Sequence, residues 1–166
     1  MKHYYKSSIL GWLAMQKLKL PSYSFRIVEK NNTREIYDEI RRKWIRLTPE
    51  EWVRQNFIHF LEKEKKFPKS LMAIERKVLI NGLSQRFDLL VFDRKGNPLL
   101  IAEFKSPDVL INQTTFDQAS RYNSGLKAPF FLISNGMVHF VCKLDFENRT
   151  TRYISEIPDY PELLDY

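Results

Sequence analysis

Asp88, Glu103 and Lys105 are the residues of this chain whose types and spacing could do chemistry. They stand on two apolar runs, Arg86-Phe87-Asp88-Leu89-Leu90-Val91-Phe92 and Leu99-Leu100-Ile101-Ala102-Glu103-Phe104-Lys105, joined by the turn Arg94-Lys95-Gly96-Asn97-Pro98. Runs of this composition bounded by turn residues read as buried strands. Charged side chains rarely occupy such places unless they are paired or bind a metal. Alternation puts Glu103 and Lys105 on one face of their strand and Phe104 on the other. If the two runs pair as a hairpin, Asp88 lies near the same end. Two carboxylates with an ammonium beside them suit a divalent cation that polarises a phosphate oxygen and acidifies a water. The lysine would orient that water, help remove its proton, or stabilise the charge growing on the phosphate. The plainer alternative is that Asp88 caps a turn while Glu103 and Lys105 line a solvent-facing strand edge.

The flanking pattern supplies the elements that must position these groups. Thr48-Pro49-Glu50-Glu51 is a helix start, with Thr at the N-cap, Pro at N1 and Glu51 at N3 closing a capping box. The helix is predicted to run to about Lys66, with an apolar stripe of Val53, Phe57, Phe60 and Leu61. At 100° per residue Glu50 falls within that stripe and Glu51 on its flank. Glu51 is thus explained by capping, and Glu50 is the better candidate to point inward and join the metal site, its alternative being a favourable interaction with the helix dipole. Leu71 to Ile80 reads as a strand carrying Glu75, which alternation assigns to neither the site nor solvent, and Asn81-Gly82 as a hairpin turn. Asn112 to Ser124 reads as a helix closed by Gly125. Phe130 to Ile133 and Val138 to Cys142 read as strands joined at Asn135-Gly136, with Arg152-Tyr153-Ile154 as an edge strand. A helix between the Glu103 and Phe130 strands is a right-handed crossover that makes those strands parallel. The fold class is therefore α/β, with a central mixed sheet flanked by helices.

Before the first helix, Tyr23 to Val28 alternates like a strand ending at the turn Asn31-Asn32. Arg34 to Leu47 is ambiguous: Ile36, Ile40 and Trp44 have helical spacing, yet a returning strand also fits. The opening Met1 to Ala14 faintly resembles a signal peptide, without a small-residue cleavage site after it; Met15 is an equal candidate for the start. The expected layout is an extension over 1–20, a basic segment over 21–47, the main domain over 48–157 and a tail over 158–166.

A chain of 166 residues suffices for one well-cored domain. No apolar run approaches the length of a membrane span. The single Cys142 excludes an internal disulfide and fits a reducing, cytoplasmic location. With only His3, His59 and His139 there is no zinc-ligand spacing, so oxygen ligands and hence Mg²⁺ or Mn²⁺ are expected. The net charge of +7 is uneven: residues 1–69 carry 16 Lys and Arg against 8 Asp and Glu, and residues 70–166 carry 11 against 12. A basic region beside an acidic pocket suits a polyanion held by its phosphates; a solvated lysine-rich surface is the bland reading of the same charges.

Asp88…Glu103-x-Lys105 resembles the signature of the PD-(D/E)xK nuclease superfamily, and the chain more narrowly resembles the N-terminal nuclease domain of type I restriction enzyme R subunits. The likeness spans roughly Thr48 to Cys142. It includes the Thr48–Gln55 helix start, the Asp strand, Glu103-x-Lys105 followed by Ser106-Pro107, and Gln118-Ala119-Ser120-Arg121-Tyr122, which matches a Gln-x-x-x-Tyr motif. The resemblance implies a restriction-endonuclease-like core and a metal-dependent deoxyribonuclease. It implies metal binding by Asp88 and Glu103, catalysis by Lys105, and completion of the site by Glu50 or Glu51. It further implies that Gln118 and Tyr122 assist in DNA contact or in positioning the site. DNA is the implied partner, with restriction-modification subunits or a separate motor beside it. Phe87 stands where the superfamily name has proline. No Gly-x-x-x-x-Gly-Lys-[Ser/Thr] loop occurs, so the translocase of a complete R subunit is missing from this sequence. The competing expectation is a non-catalytic or conditional DNA- or partner-binding module on the same fold.

Overall fold

The computed structural model describes residues 15–80, 83–121, 123 and 125–166. The faint signal-peptide pattern, the Asn81-Gly82 turn and Tyr122 lie outside the described residues.

Two sheets are built. The smaller is an antiparallel meander of β1 (Ile27–Lys30), β2 (Thr33–Asp38) and β3 (Lys43–Arg46). Asn31 and Asn32 both adopt left-handed backbone, at φ 50° and 58°, as a two-residue hairpin turn matching strand twist requires. The ambiguous stretch 34–47 is therefore strand, not helix. Its helical spacing of apolar residues was incidental, since Ile36 pairs directly with Ile45 on one face of the meander.

The larger sheet has six strands in chain order: β4 (Met72–Ile80), β5 (Leu83–Phe92), β6 (Pro98–Phe104), β7 (Phe130–Ser134), β8 (His139–Asp145) and β9 (Thr150–Ile154). Only β6 and β7 pair in parallel, joined across the sheet by α2 (Gln113–Arg121), so the sheet is mixed as the crossover argument requires. Phe116 of α2 packs on one face with Leu90, Ile101, Phe131 and Ile133. The other face is covered by α1 (Pro49–Lys63), whose Val53, Phe57 and Leu61 pack on Leu89, Leu100, Ala102 and Phe104.

The sheet covers only one side of α1; the meander covers another through Ile36 and Ile45, and Phe25 stands edge-on against Trp52 at 5.2 Å. As a result every residue from Glu51 to His59 is buried, polar ones included. Such a helix is tolerable only if its buried polar groups find partners, and Asn56 and His59 do so on carbonyls one turn back.

The ends also join the fold. Leu18 is buried against Gly136, and the Lys19 N–H donates to the Gly136 carbonyl at 2.8 Å, so the expected extension over 1–20 docks on the domain at its last residues. The tail forms α3 (Tyr160–Asp165), with Tyr160 and Leu163 in the core. Among the described residues no helix is long and apolar enough to cross a membrane.

Candidate active site

The site forms where strands lose their regularity. Leu89 belongs to the core under α1, whereas Phe87, two residues earlier on β5, belongs to the core under α2. Strict alternation would put both on one face, so the pleat breaks at Asp88. The β5–β6 ladder begins beyond it, at Leu89 and Ala102. Asp88 takes the place of the missing rung: its Oδ2 accepts a 2.7 Å hydrogen bond from the Phe104 N–H. The Phe87 ring is buried in the α2-side core.

On β6, Ala102 and Phe104 face α1, so alternation puts Glu103, and Lys105 just past the strand end, on the other side. Lys105 Nζ donates to Glu103 Oε1 at 2.8 Å. Burial pushes the Glu103 carboxyl above its usual range, and the Asp88 and Glu50 charges add to the rise, against the pull of Lys105. Burial alone would lower the Lys105 pKa. The Glu103 hydrogen bond and the Asp88 and Glu50 charges outweigh it and hold the ammonium above its usual range. Glu50 is likewise raised by burial and by Asp88, partly offset by Arg54 and Lys105. Three carboxylates and one ammonium, from α1, β5 and β6, therefore act on each other electrostatically.

The two helix-start glutamates divide their roles differently from the capping argument. Thr48 Oγ1 does accept from the Glu51 N–H at 3.1 Å. The Glu51 side chain, however, is only 5% exposed and turns to Arg41 and Gln55, whereas Glu50 is 46% exposed at the mouth of the site. The capping box is thus half made, and Glu51 serves a buried network instead.

Arg54 organises that network. Its Nη1 lies 3.0 Å from Glu75 Oε1 and 3.3 Å from Glu51 Oε2, and its Nη2 lies 3.5 Å from Glu50 Oε1 and 3.8 Å from Asp88 Oδ1. One guanidinium fork therefore stands against four carboxylates, of which Glu50 and Asp88 lie at the site. Arg41, from the β2–β3 turn, binds Asp38, Glu51 and Glu75. Glu75 faces this network rather than solvent. Arg54 and Arg41 carry no local signal that sets them apart from surface arginines; the position of Arg54, one turn after Glu50, is the only hint in the sequence. Gln118 lies on α2, the helix covering the face to which Glu103 belongs.

The donor set suits a hard cation: carboxylate oxygens, without thiolate or imidazole. Among the described residues no group of three His, Cys, Asp or Glu side chains is gathered as a ready-made metal cage. Mg²⁺ does not need one, because it is commonly held by one or two carboxylates together with waters and substrate phosphates. Asp88 and Glu103 fit that requirement, with Glu50 adjacent.

Fold and site together define an α/β domain with a mixed six-stranded sheet and a carboxylate–lysine corner at the parting of two strands. The family model described as the type I restriction enzyme R protein N terminus matches residues 49–158, and the chain belongs to that family. Among solved structures, a fragment described as an HsdR subunit of a type I restriction enzyme from Vibrio vulnificus YJ016 is similar in fold, with a TM-score of 0.53 at 19% identity. That likeness covers 72% of this chain and 25% of the fragment, so this chain corresponds to about a quarter of it. No curated protein matches the sequence.

Proposed function

We propose that this domain is a metal-dependent nuclease that hydrolyses DNA phosphodiester bonds, as a restriction R-subunit N-terminal module. The observation that carries this reading is the meeting of Asp88, Glu103 and Lys105 where β5 and β6 part, with Glu50 beside them. Asp88 and Glu103 would hold Mg²⁺ or Mn²⁺, which when bound supplies Lewis acidity at a phosphate oxygen and lowers the pKa of the attacking water. Asp88 is fixed for this role by the Phe104 N–H, and Glu103 by Lys105. Lys105, held against Glu103, would stabilise the charge growing on the phosphate. The test is incubation of plasmid and linear DNA with Mg²⁺ or Mn²⁺, alongside Glu103→Ala and Lys105→Ala. The wild type should cleave and both variants should not; equal cleavage by all three would assign the activity elsewhere.

A second reading, a DNA- or partner-binding module without catalysis, is favoured by one observation: Asp88 is engaged by the Phe104 N–H and by Arg54 rather than by a third carboxylate poised for metal. It is the outcome if salt-sensitive DNA binding occurs with no cleavage under either metal.

A further inference from the structure

The basic N-terminal region is left over by the proposed site, and the meander shows where part of that charge is displayed. Residues 26–46 carry seven Lys and Arg against four Asp and Glu. Two of the four acids are already engaged, Asp38 by Arg41 and Glu39 by Lys69. The inner face of the meander is closed against α1 through Ile36 and Ile45. Its outer face points away and is open.

Across that outer face runs a row of three side chains, one from each strand or its lead-in. The Tyr37 N–H donates to the Arg26 carbonyl, and Tyr37 pairs with Trp44 in register. The Arg26 guanidinium sits 3.7 Å above the Tyr37 ring centroid, and the Tyr37 and Trp44 rings stand 5.4 Å apart at 69°. Trp44 is 41% exposed, and Arg46, which pairs in register with Glu35 on the neighbouring strand, lies beside it, also exposed. Aromatic rings interleaved with arginines form a surface on which bases stack while cations meet the phosphates.

We propose that this outer face binds single-stranded nucleic acid, Trp44 stacking on an unpaired base, held in place by the Tyr37 ring and the Arg26 guanidinium stacked behind it, while Arg26 and Arg46 meet the backbone. A duplex keeps its base faces inside the stack and can offer this surface only phosphates, so the aromatic row selects the unpaired form. The face lies outside the family-matched residues 49–158 and goes beyond the hydrolytic reading, since binding here requires neither metal nor Glu103.

The experiment is fluorescence anisotropy of a labelled oligothymidylate of about 12 nucleotides, within the span of small single-strand sites, titrated with the full chain in EDTA. Wild-type protein should bind, more weakly as salt rises. Trp44→Ala should weaken binding about tenfold or more, Trp44→Phe should restore most of it, and Arg26→Gln with Arg46→Gln should weaken it and flatten the salt dependence. A duplex of the same length should bind less tightly and ignore Trp44→Ala. The proposal is overturned if the oligonucleotide is not bound, if Trp44→Ala and Trp44→Phe behave alike, or if polyglutamate displaces it as well as unlabelled oligothymidylate does. Because no cleavage is measured, failure here is separable from failure of the nuclease reading.

Discussion

Glu75 and Asp88 stand opposite each other on β4 and β5, yet the ladder skips them, pairing Ile74 with Leu89 and Arg76 with Phe87. Glu75 adopts left-handed backbone at φ 50°, uncommon for a residue with a Cβ, and the pleat of β5 breaks at Asp88. Arg54 reaches both carboxylates, at 3.0 and 3.8 Å. The irregularity is thus shared by two strands and bridged by a helix, which gives the site a rigid frame and makes it depend on one buried cation.

Arg54 is 4% exposed, and its removal would leave carboxylates facing one another with little water to screen them. Breaking a buried ion pair from one side costs about 3 kcal/mol or more. Arg54→Met is therefore expected to be strongly destabilised in urea unfolding. Arg54→Lys should recover little, because an ammonium cannot span carboxylates on both arms of the fork.

What the sequence disclosed and what it hid differ by range. The start of α1, the three-strand run from β4 to β6 and the parallel β6–β7 pair follow from caps, turns and a crossover, all signals within a few residues of their effect. The burial of Glu51 and Arg54 depends on Arg41 and Glu75, distant in sequence and brought together only by the meander and β4. For the same reason 34–47 is ambiguous in the sequence: its apolar residues fit a helical spacing as well as a returning strand, and what decides for strand is the pairing across the Asn31-Asn32 turn. Asp88, Glu103 and Lys105 were visible because charges on apolar strands stand out from their own neighbours.

The Glu103 charge, unpaired with any metal, should weaken the folded protein. Its carboxyl is raised by burial and by Asp88 and Glu50, against the pull of Lys105, so ionising it costs more in the folded protein than in the unfolded chain. Glu103→Gln should therefore melt a few degrees above wild type in EDTA, each degree reflecting roughly 0.3 kcal/mol for a domain of this size. Millimolar Mg²⁺ should raise the wild-type midpoint and leave the variant almost unmoved. A variant that melts lower in EDTA would show that the Lys105 pair outweighs the repulsion.

Acid should attack the network from the Glu75 side. Burial tends to raise its pKa, but Arg54, Arg41 and Arg86 outweigh burial and hold it below the ordinary 4.5. A carboxyl lowered in the folded state contributes stability that is present above its unfolded pKa and is lost as pH falls through the folded one. Stability of the wild type should accordingly drop below about pH 4.5. In Glu75→Gln, stability near neutral pH should be lower and the acid decline shallower, as read from urea midpoints across pH.

Gly136 and Leu18 test whether the N-terminal docking holds the fold. Gly136 has φ +79°, and a Cβ built there would lie 2.7 Å from the end of the Leu18 side chain. Gly136→Ala therefore brings backbone strain together with a clash that could be relieved by pushing Leu18 out of its buried seat. Leu18→Ala removes the clash and the buried side chain but not the strain. If residues 16–19 are docked as the Lys19–Gly136 hydrogen bond places them, the two substitutions should be non-additive. The double variant should then be less destabilised than the sum of the single ones by about 0.5 kcal/mol or more. Additive effects in urea unfolding would mean that the segment leaves the domain in solution.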